Sequence, residues 1–158
     1  HHRTIKVRPG AHFILGSAFT TPVEIQGTLR LKKGKGVLRN VKVSGLPASD
    51  NKIEAYKDSD LTLSDNSHIK GLVSVNHSKA RLSFESGTEH IVLKDHSLAT
   101  FSEGSFVHTL EMENSKASFS GRSMAGHIIM DNSELILDKS SYNYCSLRMK
   151  DSTLVVTN

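Results

Sequence analysis

Apolar and polar residues alternate in short stretches through the last two thirds of the chain. The clearest stretches follow six regularly spaced serines: a small or aliphatic residue stands two positions after each serine, and a larger apolar residue stands four positions after it. The six are Ser59, Ser78, Ser97, Ser115, Ser133 and Ser152. Alternation with a period of two is typical of a half-buried strand. The pattern therefore predicts a short strand after each serine.

A second strand is predicted before each serine, with a polar corner between the two strands. The segments predicted to form this strand are residues 73–75, 91–93, 110–112, 128–130 and 147–149. Each unit then returns through a polar stretch that contains a further serine, at Ser67, Ser86, Ser105, Ser123 and Ser141. No unit offers the roughly 10 to 15 periodic residues that a crossover helix needs. The strands of successive units must therefore stack on one another.

The spacing of the six serines, 19, 19, 18, 18 and 19 residues, predicts an all-β fold, a right-handed parallel β-helix. A fixed period of this length is typical of a solenoid, and parallel crossovers strongly favour the right hand. We expect one domain over residues 1–158, with about 18–19 residues per coil and roughly eight to nine coils. The serines are interpreted as corner residues whose short polar side chains bond neighbouring backbone.

Residues 1–52 follow the rule less regularly, whereas residues 53–158 form the regular coils. Strands are predicted at residues 5–7, 12–15, 23–25, 28–31 and 41–43. Gly10, Gly27 and Gly45 are assigned to the corner that serine occupies later, because glycine accepts a left-handed backbone. The basic run 32–36 and the stretch 46–52 are predicted to be loops.

Composition fits a rod better than a globule. A hydrophobic share of 37%, with 6% aromatic residues and no Trp, is low for a compact core, but a solenoid needs only a narrow apolar stack in each coil. The net charge of +4 is interpreted as spread over the faces, which predicts no nucleic-acid binding. No apolar run is long enough for a membrane span, and no signal peptide is visible. Because the last strand lacks a polar cap, the chain is expected to be a fragment of a longer protein.

Three carboxylates are the first candidates for chemistry. Glu113 and Asp131 occupy equivalent places on neighbouring coils, and Asp95 is assigned to the same column one coil further down. Glycoside hydrolysis uses two carboxylates about 5 to 10 Å apart, and Ca²⁺ binds several oxygen ligands. The ends of the column are Lys57 and Lys150, so the sign of the charge is not fixed there. A solvated corner column is the favoured interpretation.

Histidines form a second pattern. His90, His108 and His127 each precede a strand in consecutive coils with Cys145 at the matching place in the next one, and His77 and His96 occupy equivalent corners. Imidazole and thiolate groups bind Zn²⁺, but the offsets differ by a residue, which turns side chains to opposite faces. Structural stacking is favoured. A single cysteine also forms no internal disulfide. The sequence therefore predicts no catalytic, cofactor-binding or metal-binding residue.

The repeat supports a resemblance over residues 53–158. The phrase at residues 119–123, FSGRS, is followed by the alternating residues 128–137, IIMDNSELIL. It resembles the β-helix of bacterial autotransporter passengers, in particular the serine-protease autotransporters and IgA-protease-like proteins. The resemblance implies a virulence factor of a Gram-negative bacterium, secreted or displayed on the cell surface. In that family the stalk follows an N-terminal effector domain and precedes a C-terminal β-barrel translocator.

The resemblance also indicates where catalysis would lie. The nucleophile of the family's protease domain stands in a Gly-Asp-Ser-Gly context, and neither Gly104-Ser105 nor Gly16-Ser17 provides it. We therefore expect no enzyme in this chain, with serine endopeptidase activity left to the parent protein. Two alternatives stay open: an adhesin or self-association β-helix like the filamentous-haemagglutinin-like exoproteins, and a carbohydrate-active β-helix enzyme. A host surface or a second copy would be the partner of an adhesin.

Overall fold

The computed structural model describes residues 4–16, 21–44, 52–138 and 141–157, and every regular element in these ranges is a β-strand. The strands are β1 (Thr4–Val7), β2 (His12–Leu15), β3 (Val23–Ile25), β4 (Thr28–Lys32), β5 (Lys35–Arg39), β6 (Val41–Val43), β7 (Lys52–Tyr56), β8 (Asp60–Ser64), β9 (His68–Asn76), β10 (Lys79–Leu82), β11 (Gly87–Lys94), β12 (Leu98–Phe101), β13 (Phe106–Glu113), β14 (Lys116–Phe119), β15 (Met124–Asp131), β16 (Glu134–Asp138), β17 (Tyr142–Lys150) and β18 (Thr153–Thr157).

The strands form two parallel sheets to which the chain contributes in turn. The first sheet runs β1-β4-β7-β9-β11-β13-β15-β17, with β3 and β6 beside it, and the second runs β2-β5-β8-β10-β12-β14-β16-β18. Consecutive turns therefore lie on one another, and the predicted parallel β-helix is confirmed. We call each pair of strands joined by a polar corner a rung. The eight strands of the second sheet correspond to about seven turns, fewer than the eight to nine expected.

The core is a narrow stack of apolar columns between the sheets. In the second sheet, Leu63, Leu82, Phe101 and Phe119 follow one another in register on four rungs. The rings of Phe101 and Phe119 lie parallel, with centroids 4.2 Å apart. One cluster of buried apolar residues extends from Val7 to Leu135. The predicted period-two alternation therefore becomes a continuous core along the rod.

The six-serine column lies inside the rod and bonds to backbone. The hydroxyl of Ser78 accepts the backbone N–H of Ser59 at 3.1 Å, and that of Ser97 accepts the N–H of Ser78 at 3.3 Å. Ser97 also donates its hydroxyl to the carbonyl of Val75 at 2.9 Å. The same ladder joins Ser115, Ser133 and Ser152, at 3.1 Å in each step. The serines are structural corner residues, as the sequence predicted.

The second serine column ends a tight turn between consecutive rungs. In one such turn, the N–H of Ser86 donates to the carbonyl of Ser83 at 3.2 Å. The two central residues, Phe84 and Glu85, have φ values of 51° and 58°, as a type I′ turn requires. The buried hydroxyl of Ser86 donates to the carbonyl of Leu63 at 3.1 Å. These serines thus also have a structural role.

Two predictions for the glycines of the first rungs are wrong. The corner place of the serine column is held by Gly34, whose N–H donates to the Ser59 hydroxyl at 3.4 Å. On the first rung the equivalent place is held by Ala11. The carbonyl of Ala11 accepts the N–H that begins β5, as the carbonyl of Gly34 accepts the N–H that begins β8. Gly10 therefore stands one residue too early. Gly27 lies between β3 and β4, away from the corner. Gly45 is outside the described residues.

The basic run 32–36 is not a loop. Lys32 ends β4 and Lys35 begins β5, so that only residues 33 and 34 form the corner. Gly36 faces the core, where a Cβ would approach Leu31 Cδ1 to 2.8 Å. Because Gly36 occupies an inward position of β5, the apolar–polar alternation that predicts a strand is absent there. For the second expected loop, residues 46–51 are outside the described part of the chain, while Lys52 begins β7.

Coils of unequal length keep their columns aligned by means of bulges. Between β9 and β11, Thr88 pairs with Ile69 and His90 pairs with Leu72, so that two residues of β9 oppose the single residue Glu89. Between β15 and β17, a similar register shift follows Ala125. A bulge of this kind places an extra residue without disturbing the ladder on either side.

Candidate functional site

Glu113 and Asp131 do pair in register on neighbouring strands, as the sequence predicted. A lysine flanks each of them: Lys94 Nζ is 3.2 Å from Glu113 Oε2, and Lys150 Nζ is 2.9 Å from Asp131 Oδ2. The hydrogen bond and the charge of Asp131 raise the pKa of Lys150 above its ordinary value. The row is thus an ion-paired surface ladder, in which each carboxylate faces a lysine.

Asp95 does not belong to this row, and its assignment to the carboxylate column is wrong by one residue. Lys94 occupies the place in the ladder, while Asp95 lies in the corner with a φ of 52°. Its carboxylate accepts a hydrogen bond from Asn76 Nδ2 at 2.6 Å. The corner before Ser97 holds one residue more than the corner before Ser115, which shifts Asp95 out of the column. Among the described residues, no group of three or more His, Cys, Asp or Glu side chains is arranged to hold a metal ion.

The three consecutive histidines do not form one column. His90 aligns with Thr109, and Thr109 aligns with His127, so that His108 is out of register with both of the other histidines. The His108 and His127 rings meet edge to face, with centroids 5.4 Å apart. His90 Nε2 lies 3.0 Å from Glu111 Oε1. His108 and His127 thus contact each other, whereas His90 has a separate partner.

The two corner histidines also have separate surroundings. His77 Nε2 lies 3.3 Å from Asp58 Oδ1, and His77 Nδ1 lies 3.2 Å from the carbonyl oxygen of Asp95. Both His77 and His96 have positive φ values, 46° and 63°, so they take part in the corner turns themselves. Their stacking on each other stays a prediction. The side chain of Cys145 is outside the described part of the chain.

A groove that sequence reasoning missed lies beside His68 and encloses about 410 Å³. Phe106 reaches across Gly87 towards His68, and the two ring centroids are 5.4 Å apart. A Cβ on Gly87 would lie 2.2 Å from the Phe106 ring, so the contact depends on this glycine. Burial and, secondly, the charge of Lys42 lower the pKa of His68 below its ordinary value. The available signal in the sequence was Gly87 at the start of β11, because the equivalent places on the neighbouring rungs are held by the aromatic residues His68 and Phe106.

Because its pKa is lowered, His68 is expected to make the rod less stable in acid. Its contribution to stability is fully present above the ordinary histidine pKa of about 6.5 and is lost as the pH falls through the lower value of the folded state. Thermal unfolding at pH 7.5 and pH 5.5 should show a smaller pH-dependent fall in Tm for His68→Gln than for the parent chain. The control is His12→Gln, at an exposed place on β2. Equal pH dependence in the parent chain and in His68→Gln would contradict the prediction.

The positive charge is not spread evenly, contrary to the expectation from the total. Residues 1–57 contain 11 of the 20 lysines and arginines but only 3 of the 16 acidic residues. Further along the rod, cations pair with carboxylates on the next rung, as in the ladder of Glu113 and Asp131 and in Lys116 with Glu134 at 3.0 Å. The first rungs are therefore cationic, whereas residues 58–158, with 9 lysines and arginines and 13 acidic residues, are acidic on balance.

Within the described ranges, no helix is long and apolar enough to cross a membrane. Comparisons with protein-family models, with curated proteins and with solved structures gave no match for this chain. The function is therefore inferred from the coil architecture and from the residues on its surface.

Proposed function

We propose that this chain is the structural stalk of an exported autotransporter passenger, which presents an effector domain outside the cell. The effector, of the serine-protease kind in the family that the repeat resembles, lies outside this chain. The single observation that carries the proposal is the continuous stack of in-register rungs, built around one apolar cluster from Val7 to Leu135. A rod of this kind separates its two ends by a fixed distance.

The way each rung is stabilised also suits a role in export. The N–H of Ser115 donates to the hydroxyl of Ser133, and the N–H of Ser133 donates to the hydroxyl of Ser152. Each folded rung thus exposes backbone hydrogen-bonding groups and an apolar surface to which the next rung can bind. In solenoids the stability comes from such contacts between neighbours, and folding can propagate from one repeat to the next. A chain that emerges progressively from a membrane can fold in this order.

Ser97, Glu113 and Asp131 have structural partners in this chain, which supports the stalk over a catalytic role. The Ser97 side chain is buried and donates its hydroxyl to backbone carbonyls, so it is not available as a nucleophile. Glu113 and Asp131 each face a lysine within 3.2 Å. A glycosidase needs both carboxyl groups available to the scissile bond, whereas these two are engaged in ion pairs with Lys94 and Lys150.

The test is surface display of a reporter. The chain is placed between a folded reporter domain and an outer-membrane translocator, and the reporter on intact cells is measured relative to the total reporter in the cells. Leu110→Asp introduces a charge into the fully buried core, so we expect surface display to fall at least tenfold. Ile129→Asp on a neighbouring rung is the matched control, because Ile129 is 40% exposed.

Two results would count against the stalk. Equal surface display of the two variants, at equal total reporter, would show that the folded rod is not needed for export. Binding of the isolated chain to host cells, without any effect of Leu110→Asp on display, would favour the adhesin instead.

A further inference from the structure

A groove follows the polar corner between the two sheets over the first five rungs. It runs from His12 on the first rung to Leu98 on the fifth and encloses about 370 Å³. At about 4.8 Å per rung, four steps span about 19 Å. We call it the corner groove and define it by Gly34, Lys33, Lys35, His77, Lys79 and His96. Its length suits an extended ligand better than a single small ion.

The groove exists because its floor lacks bulky side chains. Gly10 has no atom within 4 Å of the place where a Cβ would stand, and a Cβ on Gly34 would lie 3.2 Å from the carbonyl oxygens of Arg8 and Ala11. On the next rung, the Ser59 hydroxyl turns away from the groove and donates to the carbonyl of Tyr56 at 2.8 Å. The floor is thus mainly backbone.

The charged walls of the groove are cationic on balance. Lys35, Asp60 and Lys79 stand in register on three consecutive rungs. The carboxylate of Asp60 accepts a hydrogen bond from Arg81 Nη1 at 2.5 Å, and this hydrogen bond raises the pKa of Arg81. The charge of Asp60 is therefore already matched by an arginine.

Three lysines of the groove have no such partner. Lys33, Lys35 and Lys79 are exposed, and within the described ranges none of them forms an ion pair. Lys116, further along the same corner, is paired with Glu134 at 3.0 Å. A lysine ammonium is a compact charge with three donors. The unpaired ammonium groups thus remain free to bind anionic groups of a ligand.

Imidazole groups complete the walls. His77 and His96 line the groove on adjacent rungs, and an imidazole N–H donates a hydrogen bond. The second carboxylate of the groove, Asp58, has a partner in His77, at 3.3 Å. Neither carboxylate therefore faces an incoming anion alone.

We propose that the corner groove binds a polyanionic polysaccharide, a sugar chain carrying sulfate or carboxylate groups, laid along the corner of the rod. Lys33, Lys35 and Lys79 pair with its anionic groups, and the surplus of cations on the first rungs adds long-range attraction. Nucleic acid fits less well, because single-stranded nucleic acid is bound on stacking aromatic side chains, and the groove lining contains no Phe or Tyr. This binding activity is independent of the proposed role as a stalk.

The test compares two triple variants that remove the same charge. Lys33→Gln/Lys35→Gln/Lys79→Gln removes the unpaired lysines, and Lys94→Gln/Lys116→Gln/Lys150→Gln removes three lysines that are ion-paired on the later rungs. Affinity for a heparin oligosaccharide is measured by titration in 50 mM and 150 mM NaCl. The first variant should bind at least tenfold more weakly and show a smaller dependence on salt, because fewer counterions are exchanged. The second should change affinity less than twofold.

Three outcomes would overturn the proposal. The first is the absence of heparin binding by the parent chain in 50 mM NaCl, and the second is an equal loss of affinity in both triple variants. The third is binding of a single-stranded DNA of equal charge as tightly as heparin, which would assign the groove to nucleic acid. Melting curves show whether each variant is folded. If the first triple variant is not folded, the three single substitutions are measured instead, and each is expected to lower the affinity for heparin about threefold.

Discussion

Replacement of Phe101 with alanine is expected to lower the free energy of unfolding by about 3 to 5 kcal/mol. The Phe101 ring is fully buried and lies parallel to the ring of Phe119 on the next rung. Removal of the ring loses its transfer free energy and leaves a cavity in a narrow core, to which β12 contributes only Ala99 and Phe101 as buried side chains.

Urea unfolding followed by circular dichroism measures this loss. The control is Phe84→Ala, because Phe84 stands in a surface turn and is 54% exposed, so its removal should cost less than about 1 kcal/mol. A loss of similar size in both variants would contradict the view that the aromatic column stabilises the rod.

Replacement of Ser97 with alanine is expected to cost about 1 to 3 kcal/mol, although it removes a single oxygen atom. The Ser97 hydroxyl accepts the N–H of Ser78, and its single proton is shared between the carbonyls of Val75 and Lys94. The side chain is 1% exposed, so water cannot readily replace the lost partner. The buried N–H of Ser78 would then be left without its acceptor.

The control for Ser97 is Ser118→Ala on the outer face of β14. Ser118 is partly exposed, and its substitution should change the free energy of unfolding by no more than about 0.5 kcal/mol. Equal stability of Ser97→Ala and the parent chain in urea would show that the ladder contributes to register alone.

The β-helix was predictable because its repeat in sequence is also its repeat in space. A residue two positions after a column serine faces the core, so Ala80, Ala99 and Ala117 could be aligned before any coordinate was known, and the structure pairs them in register. Such inference needs only local alternation and a constant period. It failed at residues 32–36, where the inward place of β5 is taken by Gly36 and the outer place is taken by Lys35. Neither residue carries the apolar signal of a strand.

The surface was harder to predict than the core. Whether Asp95 or Lys94 stands beside Glu113 depends on a shift of a single residue. The shift arises because the coil that ends at Ser97 places its nineteenth residue in the corner between β11 and β12. The corner groove was missed because the partner that decides whether a lysine is ion-paired lies on the next rung, about 18–19 residues away in the sequence. Lys35 and Lys116 look alike in sequence, but only Lys116 has a glutamate within reach in the structure. The uneven distribution of charge over residues 1–57 was the available signal.

The bulges that keep unequal coils in register have a consequence for how this chain tolerates change. The four-residue turns before Gly87, Phe106 and Met124 have equal lengths, whereas extra residues occur at the bend that holds Lys70 and Gly71 and at the corner that holds Asp95 and His96. At these places the chain can therefore gain a residue without gaining a rung. Insertions at the corner of Asp95 and His96 are expected to extend outward and leave the number of rungs unchanged, so a peptide tag or a new binding loop can be added there without shifting the core columns.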